Sequence, residues 1–206
     1  MTLIRQGSDA SFTGMVGGVV MCHRNGKTYL RRAPRYTKSS WTSHQKLHRS
    51  RFKEVNQFCN QFKYTLLRQI WNYVDPRTSG HSLFLKANLE AFSADGQVMD
   101  PLKVKVSTGE LPLGPAMQVS RVEGQANQFM ASWQKGLNGG YHMHDELMVV
   151  SKREDAYSDI YSTGLLRYQQ GGTFELPGVP VNTTHLHLFF ASKDRRDYSE
   201  SVCFEV

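Results

Sequence analysis

Two pairs of histidines have the spacing in this sequence that best suits metal chemistry. His142 and His144 alternate in a His-x-His-Asp run, and His185 and His187 alternate in a second His-x-His run. Alternate residues of a strand point to the same face, so four imidazoles could suit zinc or nickel if the two segments came together. The first pair falls in a predicted loop, however, and His187 can equally be a half-buried strand residue. The sequence therefore predicts no cofactor and no metal, with these four histidines as the candidates if a metal binds.

Nucleophilic catalysis has no recognisable constellation in the sequence. No serine lies in a Gly-x-Ser-x-Gly elbow, and neither Cys22 nor Cys59 has a context typical of a catalytic thiol. Adjacent acids such as Asp145 and Glu146 would point to opposite faces of a strand. The expectation is a protein that is not an enzyme, with no catalytic residue and no evident small-molecule substrate.

Basic residues are concentrated towards the N-terminus. Between Asp9 and Glu54 there is no acidic residue, whereas ten lysines and arginines fall in that interval. Such residues could neutralise phosphates, and nearby aromatic rings could stack on exposed bases; a solvated helix face and packing of basic side chains on aromatic rings are the alternatives. The predicted partner-binding or polyanion-binding residues are Lys27, Arg31, Arg32, Arg35, Lys46, Arg49 and Lys53. The predicted stacking residues are Tyr29, Tyr36 and Trp41.

A hairpin and a capped helix are predicted to position these residues. Val19–Arg24 and residues 27–31 flank Asn25-Gly26, a dipeptide suited to a type I′ turn because both central residues need positive φ. Pro34 ends the second strand. Thr42-Ser43-His44-Gln45 fits a capping box, in which the Thr hydroxyl accepts a bond from a free amide at the start of a helix.

Apolar residues then recur at three- and four-residue spacing from Leu47 to Val74, which predicts a helix. A continuous helix would be about 50 Å long, so a break near Asn60-Gln61 is predicted. Lys46, Arg49 and Lys53 should face away from its apolar side, which includes Val55, Cys59 and Phe62. The pattern further predicts a helix over residues 82–92, a strand over 102–106 and a linker over 111–115.

Beyond the linker the apolar period changes to two, which indicates strands. Seven short strands separated by turns are typical of an immunoglobulin or fibronectin-like β-sandwich, with Trp133 as its core anchor. The predicted fold class is α+β, with a basic β-hairpin and helical domain over residues 1–110 and the sandwich over 115–206. The predicted strands cover residues 117–122, 128–133, 146–150, 156–161, 173–176, 185–191 and 201–206.

The charge distribution also favours two modules. The net charge is +7, but residues 1–70 carry thirteen basic residues against two acidic ones, whereas residues 71–206 carry twelve against sixteen. Cys22, Cys59 and Cys203 are far apart, which is typical of free thiols in a reducing compartment. Without a long apolar N-terminal region or a run of roughly 20 apolar residues, the protein is expected in the cytoplasm, or in a particle assembled there, with no membrane contact.

Short motifs spread over nearly the whole chain give it a resemblance to an uncharacterised bacterial family of about this length. The resemblance implies the Gly-rich hairpin, capped helix and sandwich but brings no activity; family members often have Pro where this chain has Ser43, and they are less rich in histidine. The first seventy residues are also loosely similar to small phage structural proteins. The motifs are Gly7 to Val20, Leu30 to Pro34, Thr42-x-x-Gln45, Leu85-x-x-Asn88-Leu89, Ser107-x-Gly109-x-Leu111-Pro112, Trp133, Asp145-x-x-x-Val149-Val150, Leu176-Pro177 and Ser199-x-Ser201-Val202.

Two functions are consistent with these patterns. The first is a structural or assembly protein, in which the basic N-terminal module docks to a partner and the sandwich is a contact or display module. The alternative is a nucleic-acid-binding protein that uses the basic N-terminal region. The expected partners are a further copy of the chain, nucleic acid or an acidic protein.

Overall fold

A computed structural model describes residues 2–3, 14–24, 26–35, 41–75, 77–136, 142–153, 156–176 and 182–206. The chain divides into two compact units, Met1–Thr42 and Ser43–Val206. Each unit is described by itself below.

The first unit is an antiparallel sheet of four strands. The strands are β1 (Thr2–Leu3), β2 (Gly14–Val16), β3 (Val19–Arg24) and β4 (Lys27–Arg32), in the order β1-β4-β3-β2. Gly26, in the turn between β3 and β4, has a φ of +72°, a left-handed conformation that glycine adopts without steric cost. The predicted hairpin is therefore confirmed.

Three helices open the second unit: α1 (Ser43–Gln61), α2 (Leu66–Val74) and α3 (Gly80–Asn88). The helix begins directly after Thr42, and the predicted break near Asn60-Gln61 is confirmed by the end of α1 at Gln61. Helix α2 starts at Leu66, whose backbone N–H donates to the Asp159 carboxylate at 3.2 Å. A carboxylate at this position satisfies an amide that has no partner within the helix.

Seven further strands form two antiparallel sheets. The order β11-β10-β7-β8 makes the larger sheet, and β5-β6-β9 makes the smaller one. The strands are β5 (Gln118–Arg121), β6 (Gln128–Ser132), β7 (Glu146–Lys152), β8 (Tyr161–Leu166), β9 (Gly171–Glu175), β10 (His185–Ala191) and β11 (Val202–Glu205).

Apolar side chains from the facing sides of these two sheets form one core. Phe129 and Phe174 come from the smaller sheet, and Leu188 and Phe190 come from the larger one. Trp133 is 4% exposed, packs edge-on against Phe190 and donates its indole N–H to the Arg167 carbonyl at 3.0 Å. The prediction that Trp133 is a core residue is confirmed.

The other face of the larger sheet is covered by the helices. Met148, Val150 and Phe189 share a second core with side chains of α1, α2 and α3, such as Phe58 and Trp71. Strands β7 and β10 are consequently buried on both faces along almost their whole length. The second unit therefore has three layers. The helices and the two sheets belong to this one unit, so they are not separated by the predicted domain boundary between residues 110 and 115.

Residues 111–115, predicted to be a linker, lie against the sheets. The Leu111 N–H donates to the Tyr198 carbonyl at 3.1 Å, and Leu113 packs against the core between the two sheets. Gly114 lies so close to Trp133 that an added Cβ would be 2.9 Å from the Trp133 Cβ. This contact explains why a residue without a side chain is found there.

The predicted strand over residues 102–106 is wrong. Val104 and Val106 are buried and Lys105 is exposed, so the alternation is present, but the segment pairs with no strand in the described part of the chain. The Asn88 side chain replaces that partner, accepting from the Lys105 N–H at 2.9 Å and donating to the Lys105 carbonyl at 3.0 Å. An alternating pattern reports burial, and here a side-chain amide supplies the hydrogen bonds that a strand would supply.

The predicted strand over residues 156–161 is also displaced, because β8 begins at Tyr161. Strand β8 pairs with β7 through a register shift between Glu146 and Met148, and Gly164 within it has a φ of +75°. A short, bulged edge strand with mixed burial has little apolar alternation. The remaining strands confirm the coarse prediction of a mixed α+β protein, and no helix among the described residues is long and apolar enough to cross a membrane.

Candidate interaction surface

Among the residues of the N-terminal sheet whose burial the structure describes, none is buried. Met15 is 69% exposed and Val16 is 82% exposed, although both are apolar. A single sheet gains stability by covering an apolar face, so these side chains form an uncovered apolar surface.

Strand register distributes the apolar side chains over both faces of this sheet. Residues directly opposite each other in an antiparallel pair share a face. Val16 pairs with Val19, and Met21 pairs with Leu30, which defines the first face; Met15 pairs with Val20, and Cys22 pairs with Tyr29, which defines the second face. Both faces therefore carry apolar residues at their centre.

The predicted basic residues of this unit are divided between the two faces. Lys27 and Arg31 alternate with Tyr29 along β4 and lie on the second face, whereas Arg32 pairs with Val19 on the first face. All three basic side chains are exposed, as is that of Arg35 beyond the sheet. The second face thus combines two cations with an aromatic ring, as predicted for stacking beside phosphate contacts.

The other three predicted basic residues lie on α1 in the second unit. Lys46, Arg49 and Lys53 are exposed, while Val55 and Cys59 on the same helix are fully buried. The predicted orientation of this basic face is confirmed. Of the predicted stacking residues, Trp41 is 44% exposed and Tyr36 lies outside the described residues.

The two units differ sharply in charge. Residues 1–42 contain seven lysines and arginines against Asp9 alone, whereas residues 43–206 contain eighteen against seventeen acids. Nearly the whole net charge of +7 therefore belongs to the first unit. A surface of that sign attracts acidic partners and repels another basic surface.

The four candidate metal ligands have other neighbours. His142 Nδ1 lies 3.4 Å from an Asp145 carboxylate oxygen, and His185 Nδ1 lies 2.9 Å from the Thr184 hydroxyl. The His144 ring contacts Tyr168, with ring centroids 6.1 Å apart. In the part of the chain that the structure describes, no three metal-ligating side chains come together, so the two histidine pairs are not combined in one site.

His187 is buried on the helix-facing side of the larger sheet. Its Nε2 lies 3.5 Å from the Cys203 Sγ, and its ring lies 5.6 Å from that of Tyr157. Burial lowers the pKa of His187 to about 3, with smaller contributions from His185 and Lys152, and burial raises the pKa of Cys203 to about 12. The pair is therefore a neutral imidazole beside a neutral thiol, whereas a nucleophilic cysteine requires a thiolate.

Asp145, which is buried, forms an ion pair with the half-buried Arg167 in the second unit. The Arg167 guanidinium lies 3.2 Å from the Asp145 carboxylate, stacks 3.8 Å over the Phe190 ring and donates to the Pro112 carbonyl. Burial raises the pKa of Asp145 and lowers that of Arg167, while each charge opposes the shift of the other. The ion pair connects residue 112 to both sheets. Both of its side chains are thus engaged in contacts within the protein.

A cleft of about 470 Å³ lies between α2 and the edge of the larger sheet. Leu66 and Tyr73 line one wall, and Ile160, Arg195 and Tyr198 line the other. Arg195 is paired with Glu146. Gln69 and Ser162 also line the cleft, so its lining mixes apolar and polar side chains with one engaged cation.

Sequence reasoning identified the basic residues but missed the apolar residues beside them. Met15 and Val16 fall in the motif Gly7 to Val20 and Val19 in a predicted hairpin strand, and no apolar surface was predicted from them. The available signal was the run Val19-Val20-Met21-Cys22, which is apolar at every position. An unbroken apolar run in a strand predicts apolar residues on both faces.

The chain matches no protein-family model and no curated protein sequence. The resemblance to a bacterial family therefore stays a prediction, and function must be argued from the surfaces described above.

Proposed function

We propose that this protein is a non-enzymatic structural or assembly protein that docks through its N-terminal sheet onto an acidic surface of a partner protein. The observation that carries the proposal is the absence of any buried residue among the described residues of a four-stranded sheet with apolar centres on both faces. Such a sheet is stabilised when a partner covers it. Its excess of basic residues favours an acidic surface.

In this proposal the second unit is the rigid body of the building block. Residues 117–206 would be a fibronectin-like sandwich. The strand orders β5-β6-β9 and β11-β10-β7-β8 support it, since they correspond to sheets of three and four strands in a seven-stranded sandwich. Free Cys22, Cys59 and Cys203 support assembly in a reducing compartment such as the cytoplasm.

Edge strand β2 gives the sharpest test. Substituting Val16 by Lys places a charge on a residue that is 82% exposed, while Val98→Lys is the matched control at a residue that is 67% exposed in the second unit. The test is native mass spectrometry and cross-linking of the full chain in an extract of its own cells. We expect the wild type and the V98K variant to occur in a complex and the V16K variant to lose it.

Two results would count against this function. The first is a wild-type chain that remains a monomer in the extract and over a wide concentration range by light scattering. The second is a V16K variant that retains every complex of the wild type, because the apolar edge would then have no part in assembly.

The second candidate function is binding of single-stranded nucleic acid. The specific observation that favours it is the common face of Lys27, Tyr29 and Arg31, which places two cations beside one aromatic ring. Arg31→Glu should then weaken binding to an oligonucleotide more than Arg32→Glu, because Arg32 lies on the opposite face. Fluorescence anisotropy at about 50 and about 200 mM salt is the measurement; equal affinity at both salt concentrations would exclude this function.

A further inference from the structure

Helix α1 carries two histidines one turn apart. His44 and His48 both lie in the first part of α1 (Ser43–Gln61), and both side chains are exposed. Residues four apart on a helix have Cβ atoms about 5–6 Å apart on one side of the helix. Two imidazoles at that spacing can converge on one metal ion with bonds of about 2.0–2.1 Å.

The first two turns of α1 leave this pair accessible. Every residue from 43 to 49 is exposed, and the first fully buried residue of the helix is Val55. The helix therefore extends beyond the core that holds its second half. Because both side chains are exposed, their rings can turn towards a common point.

Three of the four basic residues of α1 lie away from His44 around the helix. Successive helical residues are rotated by about 100°, which places Lys46, Arg49 and Lys53 about 140–200° away from His44. Arg51 lies closer to the pair, but its guanidinium donates to the Leu89 carbonyl at 3.0 Å. The cations nearest in sequence thus do not line the site that the two imidazoles would form.

We propose that His44 and His48 form a two-ligand site for a borderline-soft divalent transition metal such as Zn²⁺ or Ni²⁺. Imidazole suits these ions, whereas Mg²⁺ and Ca²⁺ prefer oxygen ligands. The remaining coordination positions are open to water or to a ligand from a docked molecule. The site differs from the pairs at residues 142–144 and 185–187, neither of which lies in a helix.

The test is isothermal titration of the tag-free full chain with NiCl₂ or ZnCl₂ at pH 7.5, with MgCl₂ as the hard-cation comparison. We expect one metal per chain and no Mg²⁺ binding. Loss of a residue that only supports a metal ligand costs about 10- to 100-fold in affinity, so His44→Ala and His48→Ala should each cost at least about tenfold. Lowering the pH to 5.5 should weaken binding because protonated imidazole cannot ligate a metal.

A variant with His44→Lys and Lys46→His is the matched control. It keeps the composition and the net charge but moves one imidazole to the opposite side of the helix, so it should bind as weakly as the single alanine variants. The variant with His142→Ala and His144→Ala should bind as the wild type does. Amide exchange of residues 45–49 should slow when the metal is added to the wild type, because the chelate pins the first turns.

Three results would overturn the proposal. They are a wild type that binds no transition metal up to millimolar concentration, an exchanged variant that binds as tightly as the wild type, and a loss of binding in the variant at residues 142 and 144 instead. Because all substituted side chains except His142 are exposed, loss of folding is not expected to obscure the outcome.

Discussion

The two four-stranded sheets of this protein differ in what covers them. In the larger sheet of the second unit, β7 and β10 are buried on both faces, between the helices on one side and the smaller sheet on the other. In the sheet of the first unit, apolar residues also lie on both faces, but none of its residues with described burial is buried. Similar strand chemistry thus yields a buried core in the larger sheet, which has a covering layer on each face, and exposed apolar side chains among the described residues of the N-terminal sheet.

This difference explains why the first unit is the proposed docking element. Burial of apolar surface contributes about 25 cal/mol per Å², and the larger sheet obtains that stabilisation within its own unit. The N-terminal sheet leaves Met15, Val16 and Val19 exposed. A partner that covers them would supply the same stabilisation at the moment of docking, and the basic residues beside them would select its charge.

The largest expected effect comes from a side chain between layers of the second unit. Phe189→Ala should lower the stability of β7 and β10 by about 3–5 kcal/mol, because Phe189 is fully buried and its loss leaves a cavity. Val19→Ala, at a residue that is 42% exposed in the first unit, should change the stability of β3 and β4 by no more than about 0.5 kcal/mol. Native-state hydrogen exchange measures both effects in the full chain.

The two variants together test whether the N-terminal sheet has a core of its own. A cost for Val19→Ala as large as that for Phe189→Ala would mean that the N-terminal sheet has a core of its own. The proposal that this sheet docks through its apolar residues would then lose its main support.

The second-largest expected effect comes from Asn88 in α3, whose side chain links this helix to the segment over residues 104–106. Asn88 is fully buried, and its side chain holds both polar groups of Lys105 and donates to the Phe84 carbonyl at 3.0 Å. Asn88→Ala removes the side-chain partner of the Lys105 N–H and carbonyl, both in part-buried hydrogen bonds, so we expect a loss of about 3 kcal/mol in the free energy of unfolding. Chemical denaturation followed by the fluorescence of Trp71 and Trp133 is the measurement.

The exposed Asn60 on α1 provides the control for this substitution. Asn60→Ala should change the free energy of unfolding by no more than about 0.5 kcal/mol. If Asn88→Ala were as mild as Asn60→Ala, the segment over residues 104–106 would be held by the burial of its valines alone.

Local patterns predicted the elements well, and tertiary relations poorly. The turn at Gly26, the helix start after Thr42 and the break after Gln61 depend on neighbours in sequence, so the sequence contains the information that places them. The covering of β7 and β10 by helices depends on packing between residues more than 50 positions apart in sequence; Phe58 and Phe189, for example, belong to one core. The signal available was the unbroken apolar run at residues 147–150 and at residues 188–191, which indicates strands buried on both faces.

The candidate surface shows the same limit. Exposure of Lys27, Arg31 and Arg32 follows from their charge, and the orientation of Lys46, Arg49 and Lys53 follows from helical periodicity. Register, however, decides that Arg31 and Arg32 lie on opposite faces and that Met15 and Val16 remain uncovered. The strand order of the first unit had to be known before an apolar surface could be recognised beside the basic one.

The smallest of the three effects is a pH dependence that belongs to the second unit alone. The pKa of His187 is about 3 in the folded protein and about 6.5 in the unfolded chain. Below pH 6.5 the unfolded chain binds a proton that folded His187 does not bind, so stability is greatest above that pH and is lost as the pH falls. Between pH 7.5 and pH 5 the expected loss is about 2 kcal/mol from this residue, and His81 and His185, whose pKa values are also lowered by burial, act in the same direction.

Denaturation of the wild type and of a His187→Leu variant across this pH range measures the effect. The variant should lose less stability than the wild type on acidification, because it retains only the contributions of the other histidines. Hydrogen exchange of β3 and β4 in the first unit should not show the dependence, since none of the described residues there is buried. An equal acid sensitivity in both units would contradict the contrast, because it would require a buried neutral group in the N-terminal sheet as well.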